Sequence, residues 1–153
     1  MESAFDETNY QLLKERIYHL REDSFPRWGK MNASEMLCHI SDSMREALGL
    51  RPTTSISTPI SRTIAKWISF YLLNTWPKGR FSTSPEYDVK LKGTRPSNFD
   101  LDQKETLRLL SVMKNQPEWH RFHAHPLFGK MTRKEWGVLL TKHFDHHLRQ
   151  FGV

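Results

Sequence analysis

The residues with the most chemical capacity lie near the C-terminus, in Lys142-His143-Phe144-Asp145-His146-His147-Leu148-Arg149-Gln150. An α-helix turns about 100° per residue, so His143, His147 and Gln150 share one stripe roughly 60° wide. Followed backwards the stripe meets Leu140 and Trp136, and forwards Phe151. The imidazoles therefore continue an apolar face that should point into a core. Two neutral nitrogen donors one turn apart on a dry face suit a metal ion better than isolation. A third ligand must then come from elsewhere in the chain. His146 is rotated about 100° from His147, which makes it a poor co-ligand and places it partly exposed or in support of the site. Gln150 is placed either to orient His147 or to cap the helix end.

A further histidine, His39, sits on the inward stripe Met36, Ile40, Ser43 and Ala47 of an earlier helix. A lone histidine on an apolar face is usually a hydrogen-bonded core residue, so its position alone does not make it a ligand. Asp42, one turn later, could hold its second ring nitrogen. Cys38 lies about 100° away and reads as a small buried hydrophobe. Glu35 and Glu135 resemble catalytic acids, yet each stands three places after Asn32 or Thr132, where a capping box explains it without chemistry. His120, His123 and His125 form an H-x-x-H-x-H string, but no thiolate or regular helix fixes them, so a solvated loop is expected.

The elements that must position these residues are helical. Tyr10, Leu13, Ile17 and Leu20 give an amphipathic helix over about 7–21, and a second runs from the Asn32 cap to Gly49. After a Ser, Thr and Pro-rich loop, Ile60, Ile64, Trp67, Ile68, Tyr71 and Leu72 form a third and most apolar helix, for which a core position is expected, with a dimer face or lid as alternatives. The composition from 78 to 98 predicts a long loop with a short extended piece. A fourth helix over about 101–115 turns Leu107, Leu110 and Met113 inward, and the last opens at Thr132. The five tryptophans, of which Trp28, Trp67 and Trp136 sit at helix entries or on stripes, are expected in the core. Trp28-Gly-Lys-Met-Asn-x-x-Glu35 and Phe128-Gly-Lys-Met-Thr-x-x-Glu135 match position for position, which predicts two equivalent helix lead-ins in one bundle.

At 153 residues, the chain makes one ordinary domain, 1–153. Its formal charge is +6, but no run of basic residues exceeds two, which argues against a dedicated nucleic-acid arm. The single cysteine excludes an internal disulfide and fits a reducing compartment. No apolar run approaches bilayer length and no signal peptide is evident, so a cytoplasmic protein without a membrane partner is expected.

Together, Met36-Leu37-Cys38-His39-Ile40-Ser41-Asp42-Ser43 and His143-x-x-His146-His147-x-x-Gln150 resemble the DinB-like superfamily. The likeness takes in Pro26-Arg27-Trp28-x-x-Met31 and His125-Pro126-Leu127-Phe128-Gly129. It implies an all-α four-helix bundle, here with an additional apolar helix and a long loop between the second and penultimate helices. It also implies a divalent metal, zinc or nickel, on His39, His143 and His147, with Gln150, Asp42 and His146 around them. Some relatives use low-molecular-weight thiols in S-transfer or isomerisation. The resemblance thus implies a metal-dependent thiol S-transferase or hydrolase acting on a small-molecule substrate, its catalytic residues undefined. A non-catalytic metal-binding or interaction protein is the alternative, and a homodimer through the third helix is compatible with either.

Overall fold

The computed structural model describes residues 2–73, 75–77, 85–117 and 122–153. Helix α1 spans Glu7–His19 and buries Tyr10, Leu13 and Ile17, with Leu20 closing the same face. Helix α2 spans Ala33–Ala47. Its first turn is closed by a capping box: the Asn32 side chain accepts from the Glu35 amide at 2.8 Å and Glu35 accepts from the Asn32 amide at 2.9 Å. Gly49, at φ +72, follows its end in the left-handed conformation that glycine adopts without strain. Helix α3, Phe99–Asn115, starts two residues earlier than the apolar pattern suggests, because Asn98 caps it through the Asp100 and Leu101 amides. Helix α4, Arg133–Gln150, opens on the second capping box, between Thr132 and Glu135.

These helices form an all-α bundle in which α2 packs on α3 and α4, and α1 packs on the same two from the other side. Trp136, Phe144 and Leu148 of α4 meet Ile17, Met36, Ile40, Leu109, Leu110 and Met113 in one buried cluster. The inward face of α4 therefore runs from Trp136 through the histidine pair to Phe151, as its stripe predicts. Leu107, expected inward, is only partly buried at the edge of that cluster. The repeated lead-ins have matching geometry: Gly29 and Gly129 both have positive φ, 81° and 68°, three residues before the two capping residues. No strand occurs among the described residues, and none of the helices is long and apolar enough to cross a membrane.

The apolar helix departs from expectation. A helical segment over 59–72 contains π-turns at Ser61–Ala65 and Ile68–Leu72, and it is not core. Ser61, Ser69 and Phe70 face inward, whereas Ile60, Ile64, Trp67, Ile68, Tyr71 and Leu72 are exposed. Polar contacts fix this orientation. Ser61 Oγ donates to the Leu127 carbonyl at 2.7 Å, Lys66 pairs with Glu135 at 2.6 Å, and the Lys142 ammonium donates to the carbonyls of Ser69, Phe70 and Leu73 at the helix C-terminus. Trp67 is accordingly a surface residue, and Trp28 is only partly buried; Trp136 is core as expected. Of the predicted 78–98 loop, residues 78–84 lie outside those described. Residues 85–87 and 89–92 are turns, and the chain then runs irregularly to Asn98, which is extended, with no strand from 85 to 98.

Candidate metal centre

Helices α2 and α4 bring three histidines together from positions more than a hundred residues apart. His39 Nε2 lies 2.9 Å from His143 Nε2, and the His147 ring centroid lies 4.8 Å from that of His39 and 5.0 Å from that of His143. One potential ligand atom from each falls within 4.8 Å of the others, a group that could hold a metal ion. His39 and His147 are buried, and His143 is partly buried. Burial is the main cause that lowers the pKa of all three, and mutual repulsion lowers those of His143 and His147 further. They are neutral donors at physiological pH.

The partners of the outer nitrogens decide two of the three tautomers. Gln150 Nε2 donates to the Trp28 carbonyl at 2.6 Å, so its other atom, Oε1, faces His147 Nδ1 at 2.9 Å and must accept. The Tyr87 carbonyl, 3.3 Å from His39 Nδ1, can only accept. Ser43 Oγ gives its hydrogen to the Ile40 carbonyl at 2.7 Å and lies 3.4 Å from His143 Nδ1, a contact too long to fix that ring's proton. Nδ1 of His39 and Nδ1 of His147 therefore carry protons, and the Nε2 atoms of these two rings present lone pairs. His39 Nε2, 2.9 Å from His143 Nε2, accepts a hydrogen bond from it, and a cation held by the three rings would take the place of that proton.

Of the surrounding residues named from sequence, Gln150 orients His147. Asp42 requires a correction: it does not hold the outer nitrogen of His39, which faces the Tyr87 carbonyl instead. Fully buried, Asp42 accepts from the Thr94 amide and hydroxyl at 2.7 Å each, and pairs with Arg45 and Arg51 at 3.0 and 3.1 Å. It thereby ties residues 85–94 to α2, and Arg51 adds a hydrogen bond to the Lys92 carbonyl. Tyr87, in the same segment, donates its hydroxyl to Glu46 at 2.8 Å. Burial pushes the Glu46 carboxyl up to about 7. Sequence reasoning missed Tyr87, since a loop residue contributing a carbonyl leaves no residue-type signal.

His146 is half-buried, its ring 5.9 Å from that of Trp28 and 6.3 Å from that of Trp76. Burial lowers its pKa as well. With His147, Gln150 and Trp28 it lines a cleft of about 250 Å³ that Val89 and Lys90 close on the far side. The cleft reaches His147 on the side of Gln150, and neither His39 nor His143 lines it. Of the connector histidines, His120 lies outside the described residues, and among the described ones His123 and His125 belong to no metal-holding group; His125 Nδ1 accepts from the Leu127 and Phe128 amides at 3.2 Å. His125 is therefore a packed turn residue instead of a solvated one, with its pKa lowered to about 4 chiefly by burial. Cys38 is buried, its thiol pushed up to about 12 chiefly by burial, and it is unsuited to act as a nucleophile.

The chain matches, over residues 4–152, the family described as protein of unknown function (DUF1569). No curated protein and no solved structure matches it.

Proposed function

The chain belongs to the DUF1569 family, and from its histidine centre we propose that it binds a divalent metal ion, zinc or nickel, and is a metal-dependent enzyme acting on a small molecule. The observation that carries this reading is the convergence of three neutral imidazoles, with the Nδ1 protons of His39 and His147 directed outward. A closed structural zinc site uses four protein ligands, usually including cysteine, whereas three histidines leave a position for an exchangeable ligand. His39, His143 and His147 would hold the ion. When bound, such an ion supplies the Lewis acidity that generates a nucleophile from a thiol or water at neutral pH.

The chain's own residues supply the rest. Gln150 and the Tyr87 carbonyl fix two imidazoles in the donor orientation, and Trp28 and Trp76 limit water around His146. His146 is a neutral imidazole on the cleft wall, able to take up a proton from an entering substrate. The resemblance to the DinB-like superfamily extends the reading to thiol S-transfer, with hydrolysis as the second reaction such a centre supports.

The test is elemental analysis of untagged protein after reconstitution with zinc or nickel, comparing the native sequence with His143→Ala. Close to one ion per chain, lost in the variant, is expected. Absence of metal from the native protein would remove the basis for the proposal. A loaded protein that turns over no member of a panel of thiols with electrophiles, or of esters, would leave the non-catalytic metal-binding reading in its place.

A further inference from the structure

The segment 59–72 inverts the usual amphipathic arrangement, with serines turned toward the bundle and its apolar side chains toward solvent. Ile60, Ile64, Trp67 and Tyr71 are 67, 59, 53 and 56 % exposed, with Ile68 and Leu72 alongside. The Trp67 and Tyr71 rings stack at 6.4 Å, so the ridge is partly pre-organised. The Lys142, Lys66 and Ser61 contacts anchor the opposite face to α4 and its lead-in. Rotating the ridge inward would break all of these contacts, so the apolar ridge is an outward feature of the folded chain.

The charge around this ridge selects its partner. Residues 47–77 contain no Asp or Glu; of their cations, Arg51 pairs with Asp42 and Lys66 with Glu135, which leaves Arg62, hydrogen-bonded to Ser57. Glu2 and Asp145 share a cleft with Tyr71 at the far end of the ridge. The Lys66 contacts with the Lys130 carbonyl and Glu135 bring Lys130 and Lys134 beside the segment; Arg62, Lys130 and Lys134 are all exposed. A second copy docking through the same face would oppose two basic rims. An anionic lipid surface complements them, and its interfacial layer accepts Trp, Tyr, Ile and Leu flanked by Lys and Arg.

We propose that the outward face of 59–72 docks the protein onto an anionic bilayer surface, with the helix lying in the interface. The expectation of no membrane partner followed from the absence of a spanning run, and a helix that lies on a bilayer requires none. This inference is independent of whether the histidine centre binds metal.

The experiment is co-sedimentation of the full chain with vesicles of phosphatidylcholine alone or mixed with phosphatidylglycerol, with sedimentation velocity in parallel. We expect binding to the anionic vesicles at least tenfold stronger than to neutral ones and weakened by added salt. The double variant Ile64→Glu/Trp67→Glu should lose it, while Leu101→Glu, an exposed apolar position on α3, should retain it. Brominated lipid should quench Trp67 emission, seen as a difference from Trp67→Phe. Circular dichroism verifies that the variants are folded. Failure to bind anionic vesicles would overturn the proposal, and so would a solution dimer dissociated by the double variant, which would assign the ridge to a second copy.

Discussion

His147 Nδ1 donates to Gln150 Oε1 at 2.9 Å, less than one helical turn further along α4, and Gln150 in turn donates to the Trp28 carbonyl at 2.6 Å. The amide cannot be reversed without setting its oxygen against the Trp28 carbonyl oxygen, so Oε1 is left to accept from His147. The lead-in to α2 thereby fixes the tautomer of an imidazole on α4. Gly29 is part of the same fit, because a Cβ there would approach Gln150 Nε2 to 2.5 Å.

Gln150→Ala is expected to weaken zinc binding by about 10- to 100-fold, the usual effect of removing an outer partner of a ligating histidine. Gln150→Glu keeps an acceptor for His147 and should fall between the two. Competition with a chromophoric chelator measures this, and affinities equal to the native value in both variants would show that the amide does not act on the site.

Asp42→Ala should be among the most destabilising single changes, at roughly 3–5 kcal/mol, because it leaves buried Arg45 and Arg51 contacts and two Thr94 donors uncompensated. Glu105 pairs with the same Arg45 at 3.0 Å but at a partly exposed position, so Glu105→Ala should cost less than about 1 kcal/mol. Urea denaturation of the two variants compares them directly. Equal small losses would mean that the Asp42 network does not anchor the 85–94 segment.

The buried titrating groups give stability a pH dependence with opposing signs. His125, lowered from 6.5 to about 4, contributes stability that is present above pH 6.5 and is lost as the pH falls toward 4. Glu46, raised from 4.5 to about 7, contributes stability that is present below 4.5 and is lost as the pH rises through 7. Between these values Glu46 offsets one histidine proton. Glu46→Gln should therefore steepen the fall in stability from pH 6.5 to 4.5 by about 1.4 kcal/mol per pH unit, the equivalent of one proton. Denaturant titrations of metal-free protein across that range check it, and parallel slopes for native and variant would contradict the assignment.

The sequence by itself determined the helices, because their signals are local. Apolar spacing at three and four residues marked α1, α2, α3 and α4, and Asn32–Glu35 and Thr132–Glu135 set two of the starts through bonds spanning three residues. The His143/His147 pair was legible for the same reason, since helical geometry alone puts both rings on one face. His39 could be joined to them only through resemblance, and its 2.9 Å contact with His143 exists because the bundle packs α2 on α4.

Tertiary structure decided the rest wherever a residue's fate depended on a distant partner. Asp42 is close enough along α2 to serve His39, yet the Thr94 amide and two arginines claim its oxygens and leave His39 to the Tyr87 carbonyl. The segment 59–72 has the most apolar stripe in the chain, and periodicity says that such a stripe exists without saying which way it faces. Lys142, placed on α4 by the bundle, holds the carbonyl end of that helix with three hydrogen bonds and settles the orientation. Burying the apolar face would require an ammonium and several backbone carbonyls to give up these bonds in a partly dry setting, and that cost depends on contacts between residues some seventy positions apart.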